Sequence, residues 1–249
     1  MASASDIKNY YNQLTKVYLK TYGEIIQAFR PKGDRELLNH IASHIPLKQG
    51  MQVADLGCGV GGPARYFSKH YGVKVDGITL SEVQVNEFQL RDDTHGNVKV
   101  FCGDYHQLPE TFKTEFYDVV LFLESLGHSY NCTLAIREAF RILKPGGRIY
   151  IKDFFGKKSN DPLKTKRINA VLASINKNYC YNTLDLEDLL LHLRSQNFEI
   201  VTIQKFNFKD DITKRSEFEV HEGIDIFEGE PAFYAADWLE LVLEKKNFD

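Results

Sequence analysis

The chain is poor in cysteine. Cys58, Cys102, Cys132 and Cys180 are the four in 249 residues, with no CxxC pair and no His at metal spacing beside them. This argues against a disulfide scaffold or a Cys-rich zinc site, and reduced, mostly buried thiols and no bound metal are expected. Missing too is any run of about 18 apolar residues, so no membrane-spanning helix is predicted. Nor is there an excess of basic residues. Lys and Arg number 31 against 34 Asp and Glu, a net charge of -3, and nothing in that balance points to nucleic acid or to an anionic membrane surface. The opening residues MASASDIKNYYNQ lack the basic stretch and apolar run of a secretory leader, and a cytoplasmic location is expected. No GxSxG, HExxH or Walker A pattern occurs. What is present, 43% apolar and 26% charged residues, is the composition of an ordinary globular protein.

Short apolar runs alternate with helical patterns along the chain, which predicts an α/β fold with a doubly wound, mostly parallel sheet covered on both faces. The Val-, Ile- and Phe-rich runs at 52–56, 73–78, 98–102, 117–124 and 148–154 are the expected strands, with helices at 63–70, 81–90 and 133–143 between them. Lys144-Pro145-Gly146-Gly147 stops a helix and turns the chain, so the next strand should begin at Arg148. Two helices are expected before residue 50, broken at Arg30-Pro31-Lys32-Gly33, with Asp34 capping the second. Beyond Phe155 come a polar helical stretch at 157–182, a helix at 184–194, a strand at 198–206 and an irregular charged stretch at 207–231. Residues 233–245 read as either a helix or a closing strand. A single domain is expected over 1–249: a helical cap at 1–50, a ligand-binding core at 51–155, and a remainder at 156–249 that completes the sheet and adds to the cap.

The segment Val53-Ala54-Asp55-Leu56-Gly57-Cys58-Gly59-Val60-Gly61-Gly62-Pro63 joins the first strand to the first helix of the sheet. Glycines here let the backbone turn sharply and come close to a ligand. Gly57, Gly59 and Gly62 satisfy G-x-G-x-x-G, and Asp76 follows Gly57 by 19 residues, so a dinucleotide is one reading. Two features oppose it. Asp55 puts a carboxylate where a pyrophosphate would sit, and Asp76 falls inside its strand, whose tip is Thr79-Leu80. A carboxylate suits a ligand with a cationic amino-acid end, and S-adenosylmethionine has both an ammonium and a sulfonium.

With these residues in view, the chain resembles the class I S-adenosylmethionine-dependent methyltransferases over roughly residues 10–155. Within that group, LGCGVGGPARY and GITLSEVQ resemble the branch of sterol side-chain, tocopherol, geranyl diphosphate and cyclopropane-forming C-methylating enzymes. The resemblance implies a seven-stranded Rossmann-like sheet with a helical cap, and S-adenosylmethionine as cofactor, bound by Asp55, Gly57 and Gly59 in the loop. Most class I enzymes have Asp or Glu at the position of Thr79. The branch with G-x-T-L-S-x-x-Q lacks it, and there Thr79, Leu80 and Gln84 are expected to serve the ribose end. In Cys102-Gly103-Asp104-Tyr105, Asp104 is expected to accept from the adenine amino group, with Gly103 and Tyr105 beside the ring.

The fourth strand ends in Glu124-Ser125-Leu126-Gly127-His128-Ser129, and open α/β sheets bind ligands beyond the carboxyl ends of their strands. Methyl transfer to an alkene carbon leaves a carbocation that must lose a proton, so Glu124 and His128 are the candidate catalytic bases. Otherwise Glu124 caps the next helix or braces the cofactor. Tyr11, Tyr18 and Tyr22 recur at spacings of 7 and 4 and share one helical face. With Tyr10, and with Phe233, Tyr234 and Trp238 late in the chain, they are candidates to cover a small-molecule acceptor, or else to pack the cap onto the sheet. Carbon methylation of an isoprenoid-like or sterol-like acceptor is the first expectation, and nitrogen or oxygen methylation of a small metabolite the second. A non-catalytic S-adenosylmethionine-binding module is the third. A diphosphate acceptor would draw on Lys157, Lys158, Lys164, Lys166 and Arg167, which otherwise form a solvated face.

Overall fold

The computed structural model describes residues 2–28, 30–31, 33–206, 212–224 and 234–246. Helices α1 (Ala4–Tyr22) and α2 (Asp34–His44) precede the sheet. Then β1 (Gln52–Leu56), α3 (Gly62–Tyr71), β2 (Lys74–Thr79), α4 (Glu82–Arg91), β3 (Val98–Cys102), β4 (Tyr117–Leu123), α5 (Cys132–Ile142) and β5 (Leu143–Gly156) alternate as the apolar pattern predicts. The chain closes with α6 (Pro162–Asn178), α7 (Leu186–Ser195), β6 (Phe198–Lys205), α8 (Ile212–Glu222) and β7 (Ala236–Lys245).

These strands form one seven-stranded sheet in the order β3-β2-β1-β4-β5-β7-β6. Strands β1 to β5 pair in parallel, and β7 is antiparallel to both of its neighbours. The expected mostly parallel, doubly wound sheet is therefore present. Because the strand order reverses between β1 and β4, their carboxyl ends diverge there and open a crevice, the usual ligand position in such sheets. One apolar layer packs β1, β4 and β5 against Ile136 and Ala139 of α5 and Leu189 and Leu193 of α7. The opposite layer packs the sheet against Leu37, Leu38 and Ile41 of α2 and Phe67 of α3. Among the described residues, no helix is long and apolar enough to cross a membrane.

Four expectations need correction. Strand β5 begins at Leu143, not Arg148: Leu143 pairs with Tyr117, the chain bulges through Lys144-Pro145-Gly146-Gly147, and pairing resumes at Arg148 with Val119. Asp34 does not cap α2. The N-cap is Gly33, with no side-chain bond, and Asp34 instead pairs with the buried Arg30. The stretch 207–231 holds α8, so it is not irregular throughout, although 207–211 and 225–231 lie outside the described residues, as does Phe233. The thiols are all free, but only Cys58 is buried, and Cys102 is exposed. The ambiguity at 233–245 resolves as a strand, because β7 fills the gap between β5 and β6 and satisfies backbone groups on both sides.

Lys245, 2% exposed, closes the base of this arrangement. Its ammonium donates to the carbonyls of Phe140 (3.0 Å) and Leu143 (2.8 Å) at the end of α5, and to Glu115 Oε1 (3.0 Å). A cation there complements the carbonyl end of the helix. Lys245→Met is expected to lower stability by about 2–4 kcal/mol in urea unfolding, since it orphans two buried carbonyls.

Candidate active site

At the crevice, the loop after β1 is pressed onto the loop after β4. Gly57 holds φ +88°, and a Cβ there would lie 2.4 Å from the Ser125 Cβ, so both the conformation and the space demand glycine. One turn later a Cβ on Gly62 would meet the Glu24 carbonyl oxygen at 2.1 Å, because the stretch after α1 crosses directly over the start of α3. The result is a cleft floored by the glycine loop and roofed by α1 and residues 24–27.

Asp55 is 1% exposed and lines this cleft. Burial pushes its carboxyl up to about 7, and its Oδ2 has no hydrogen-bond partner among the described residues. An orphan buried acceptor of this kind is costly unless a donor or cation arrives. Gly57, Gly59, Thr79, Leu80, Gln84 and Tyr105 line the same cleft. The Thr79 hydroxyl donates to Gln84 Oε1 at 2.5 Å, and Ser81 Oγ caps α4 by accepting from the Gln84 N–H. Gln84 therefore turns its amide nitrogen toward Gly59. The Tyr105 hydroxyl donates to the Ser125 carbonyl at 2.9 Å. Gly103 and Asp104 stand apart from the cleft wall. Asp104 accepts from the His106 ring (2.5 Å) and from Tyr130 Oη (2.8 Å). Burial works to raise its carboxyl, but those hydrogen bonds outweigh it and hold the group below the usual carboxylate range. His106, not Asp104, is the residue of this pair that reaches the wall.

Glu124 occupies the left-handed region at φ +55°, uncommon for a residue other than glycine. Its Oε2 accepts from the Ala28 N–H at 2.6 Å and its Oε1 from the ammonium of Lys152. Lys152, fully buried in β5, also donates to Gln27 Oε1 at 3.1 Å. Burial lowers the pKa of this ammonium, and the Glu124 charge acts against that. Glu124 is thus a brace between sheet and roof. It is not the cap of α5, a role taken by Asn131.

His128 ends a single 3-10 turn, Leu126–His128. Its Nδ1 lies 3.1 Å from the Cys180 carbonyl, which can only accept, so Nδ1 carries the proton. Its Nε2 then accepts from Tyr11 Oη at 2.7 Å. Burial pulls the imidazole down to about 4, so it is neutral near pH 7. Of the helical tyrosines only Tyr11 reaches the cleft. Tyr18 and Tyr22 are buried and pack around Phe218 of α8, with ring centroids 4.4 and 6.2 Å away, and Trp238 packs on Phe154 at 5.5 Å. Tyr18 and Tyr22 hold α1 to α8, Trp238 packs on the sheet, and none of the three lines the cleft.

Lys152, Gln27, Glu24 and His106 were not among the expected site residues. For Lys152 a signal exists: Lys152-Asp153 interrupts the apolar run Arg148-Ile149-Tyr150-Ile151…Phe154-Phe155, and adjacent charges inside a two-side-covered strand are rare without a purpose.

Residues 54–151 match the family model described as a methyltransferase domain. The sterol 24-C-methyltransferase erg-4 of Neurospora crassa is 27% identical over 204 residues, covering 78% of this chain and 53% of that enzyme. A sarcosine/dimethylglycine N-methyltransferase of Aphanothece halophytica is 38% identical over 107 residues, covering 42% of this chain and 38% of that one. The chain thus spans about half or less of the length of these relatives. A geranyl diphosphate methyltransferase solved with its diphosphate and sinefungin superposes with a TM-score of 0.77 at 18% identity, over 97% of this chain and 99% of that one. The fold is the Rossmann-like α/β fold of these methyltransferase structures. Over residues 54–151 the chain is thus similar to the S-adenosylmethionine-dependent methyltransferases, the sterol and isoprenoid enzymes among them.

Breaking the Lys152–Glu124 pair from one side strands a buried charge. Lys152→Met alone and Glu124→Gln alone should each cost about 3–5 kcal/mol in urea unfolding, and the double variant should recover most of that loss.

Proposed function

We propose that the protein transfers the methyl group of S-adenosylmethionine to a carbon of a neutral isoprenoid-like or sterol-like acceptor. The observation that carries this reading is the charge of the cleft. Its described lining includes Glu24, Asp55 and Glu124 but no Lys or Arg, beside the aromatic Tyr11 and Tyr105 and the apolar Ile7, Ile26 and Leu123. Arg65 meets Glu24 and Lys152 meets Glu124 behind the wall, so Asp55 is the acidic group of the lining with no paired cation among the described residues; such a wall favours a sulfonium and a carbocation and offers a diphosphate no cation. The cations that a diphosphate would need are engaged elsewhere or turned outward. Lys157 pairs with Asp237, Lys158 with Asp185 and Glu187, Arg167 lies over Tyr234, and Lys164 and Lys166 are exposed.

The residues present fit the cofactor. Asp55 offers an orphan acceptor to the ammonium of its amino-acid end, Gly57 and Gly59 leave room for close approach, and Gln84 with Thr79 offers polar atoms to the ribose. In this reading Gly103 and Asp104 support the adenine side from behind, through His106 and Tyr105. When bound, S-adenosylmethionine supplies an electrophilic methyl group, and alignment of acceptor, methyl and sulfur provides most of the rate. The chain's task is then to exclude water and to take one proton. Tyr11 and His128 are placed for it: Tyr11 Oη faces the cleft and already donates to His128 Nε2, so a proton received by Tyr11 moves on to the imidazole. An imidazole of pKa about 4 is a weak base. It suffices for a carbocation, whose adjacent C–H is strongly acidic. It is poorly matched to a methylated ammonium, whose pKa lies near that of an ordinary amine, about 8–10. Glu124, held by Lys152 and Ala28, contributes negative charge and structure in this reading and does not move the proton.

The Tyr11–His128 pair also supports nitrogen methylation as a second reading, since it can orient an amine by accepting from it. Assay of labelled methyl transfer to sterols, isoprenoid alcohols, prenyl diphosphates and small amines separates the two. Turnover on sterols or isoprenoids, falling by about 10²–10⁴ in His128→Ala with little change in S-adenosylhomocysteine affinity, is expected. Turnover confined to amines would establish the second reading, and turnover on prenyl diphosphates would overturn the charge argument.

Asp55 gives an independent check. It is protonated below about pH 7 in the free protein, whereas a cationic ligand favours the ionised form. Binding should therefore release a proton and tighten as pH rises, by about tenfold from pH 6 to pH 8. Calorimetry with S-adenosylhomocysteine in two buffers of different ionisation enthalpy measures both effects, and Asp55→Asn should bind more weakly with a flat pH profile.

A further inference from the structure

Away from the cleft, α2 carries His40 and His44 one turn apart, and both imidazoles converge on Glu240 of β7, a carboxylate only 1% exposed. His40 Nε2 lies 3.1 and 2.9 Å from the two Glu240 oxygens, and His44 Nε2 lies 3.9 Å from Oε1. The three ligand atoms all fall within 4.8 Å of one another. Around a tetrahedral zinc with ligands at about 2.05 Å, neighbouring donor atoms stand roughly 3.3 Å apart, a value that these separations bracket.

For His44 the hydrogen bonds around the cluster already set the tautomer that a metal ligand needs, whereas His40 Nε2 donates to Glu240 and would give up its proton on metal binding. His44 Nδ1 lies 2.9 Å from the His40 carbonyl, which can only accept, so Nδ1 carries the proton and Nε2 is a lone pair. In metal sites the same second bond, from the distal ring nitrogen to a carbonyl or carboxylate, fixes the ring and raises its basicity. Glu240 is oriented as well, by Tyr150 Oη at 2.6 Å and by the Gln204 side-chain amide at 2.6 Å. That amide also lies 2.9 Å from His44 Nε2. The Gln204 amide nitrogen thus bridges a lone pair and a buried carboxylate that face one small volume, the place a cation would take in its stead. Rotating the Gln204 amide by half a turn would bring its oxygen, in place of its nitrogen, to the same point.

We infer that His40, His44 and Glu240 form a binding site for a divalent transition metal, zinc foremost, which pins α2 to β7. Two imidazole nitrogens and one carboxylate oxygen suit zinc, cobalt or nickel better than calcium or magnesium, which take oxygen ligands. Gln204 or a water completes the coordination. The site is distinct from the methyl-transfer cleft, whose described lining includes none of these residues.

The test uses the full chain, dialysed against a chelator. Zn²⁺ is titrated in a calorimeter and Co²⁺ is followed by its visible spectrum. One Zn²⁺ per chain at micromolar or tighter affinity is expected, with the strong bands of four-coordinate Co²⁺. His40→Gln and His44→Gln should each weaken binding at least tenfold, while His70→Gln, on α3, leaves it unchanged. Zn²⁺ should also raise the thermal midpoint of the unsubstituted chain and of His70→Gln, but not of the other two variants. The partly exposed His40 and His44 carry the test should Glu240→Gln fail to fold. Absence of saturable Zn²⁺ binding up to millimolar concentration overturns the site, as does stoichiometric binding that survives both His40→Gln and His44→Gln.

Discussion

Lys152 lies fully buried in β5, and the carboxylate that meets its ammonium belongs to Glu124, the first residue past β4. Taking an ammonium out of water costs several kcal/mol, so this charge must be met wherever the chain folds. The need dictates much of what surrounds the cleft. It accounts for Glu124 standing in the left-handed region, since that turn aims its side chain back at β5. It also accounts for the position of the roof, because Gln27 and the Ala28 N–H supply the remaining polar contacts of the pair. A segment with little regular structure of its own is thereby fixed over the ligand space.

The same charges set the electrostatic character of the cleft. Lys152 is spent on Glu124 and Arg65 on Glu24, and neither cation is in the described lining, so Asp55 and the aromatic rings set the character of the wall. Burial then acts in opposite senses on the two groups left to respond. It keeps Asp55 partly protonated until a cation comes, and it keeps His128 uncharged. In the proposed reaction both would meet positive charge that arrives with the ligand or forms on the acceptor.

The strands and the glycine loop were legible because their signals are local: apolar runs of strand length and a motif that needs positive φ. Strand β1 and the cleft positions of Asp55 and Gly57 follow from those signals, whereas Thr79 and Gln84 were expected there only through the resemblance of GITLSEVQ to a known branch. What escaped is what distant segments decide together. Tyr11, Tyr18 and Tyr22 share a face, as their spacing requires, but only docking onto the sheet and α8 determines that Tyr11 reaches His128 while the other two pack around Phe218. Asp104 carries the family motif, yet His106 and Tyr130 draw its carboxylate aside. The start of β5 was misplaced because Pro and Gly read as a stop, whereas a bulge lets pairing begin before them. The His40–His44 spacing is visible in the sequence, but Glu240 joins it from 200 residues away.

Strand β7 lies between β5 and β6, although it follows both in the chain. During synthesis β6 therefore has no sheet partner until residues 236–245 have left the ribosome, and β5 presents an open edge over the same interval. Unpaired edges of this kind are sites of unwanted strand addition. The protein is consequently exposed to aggregation until β7 has emerged, and a chain cut short before β7 would leave β6 without a strand partner. Chaperone demand should be concentrated there, and late-terminating variants should be cleared as misfolded chains even though their methyltransferase motifs are intact.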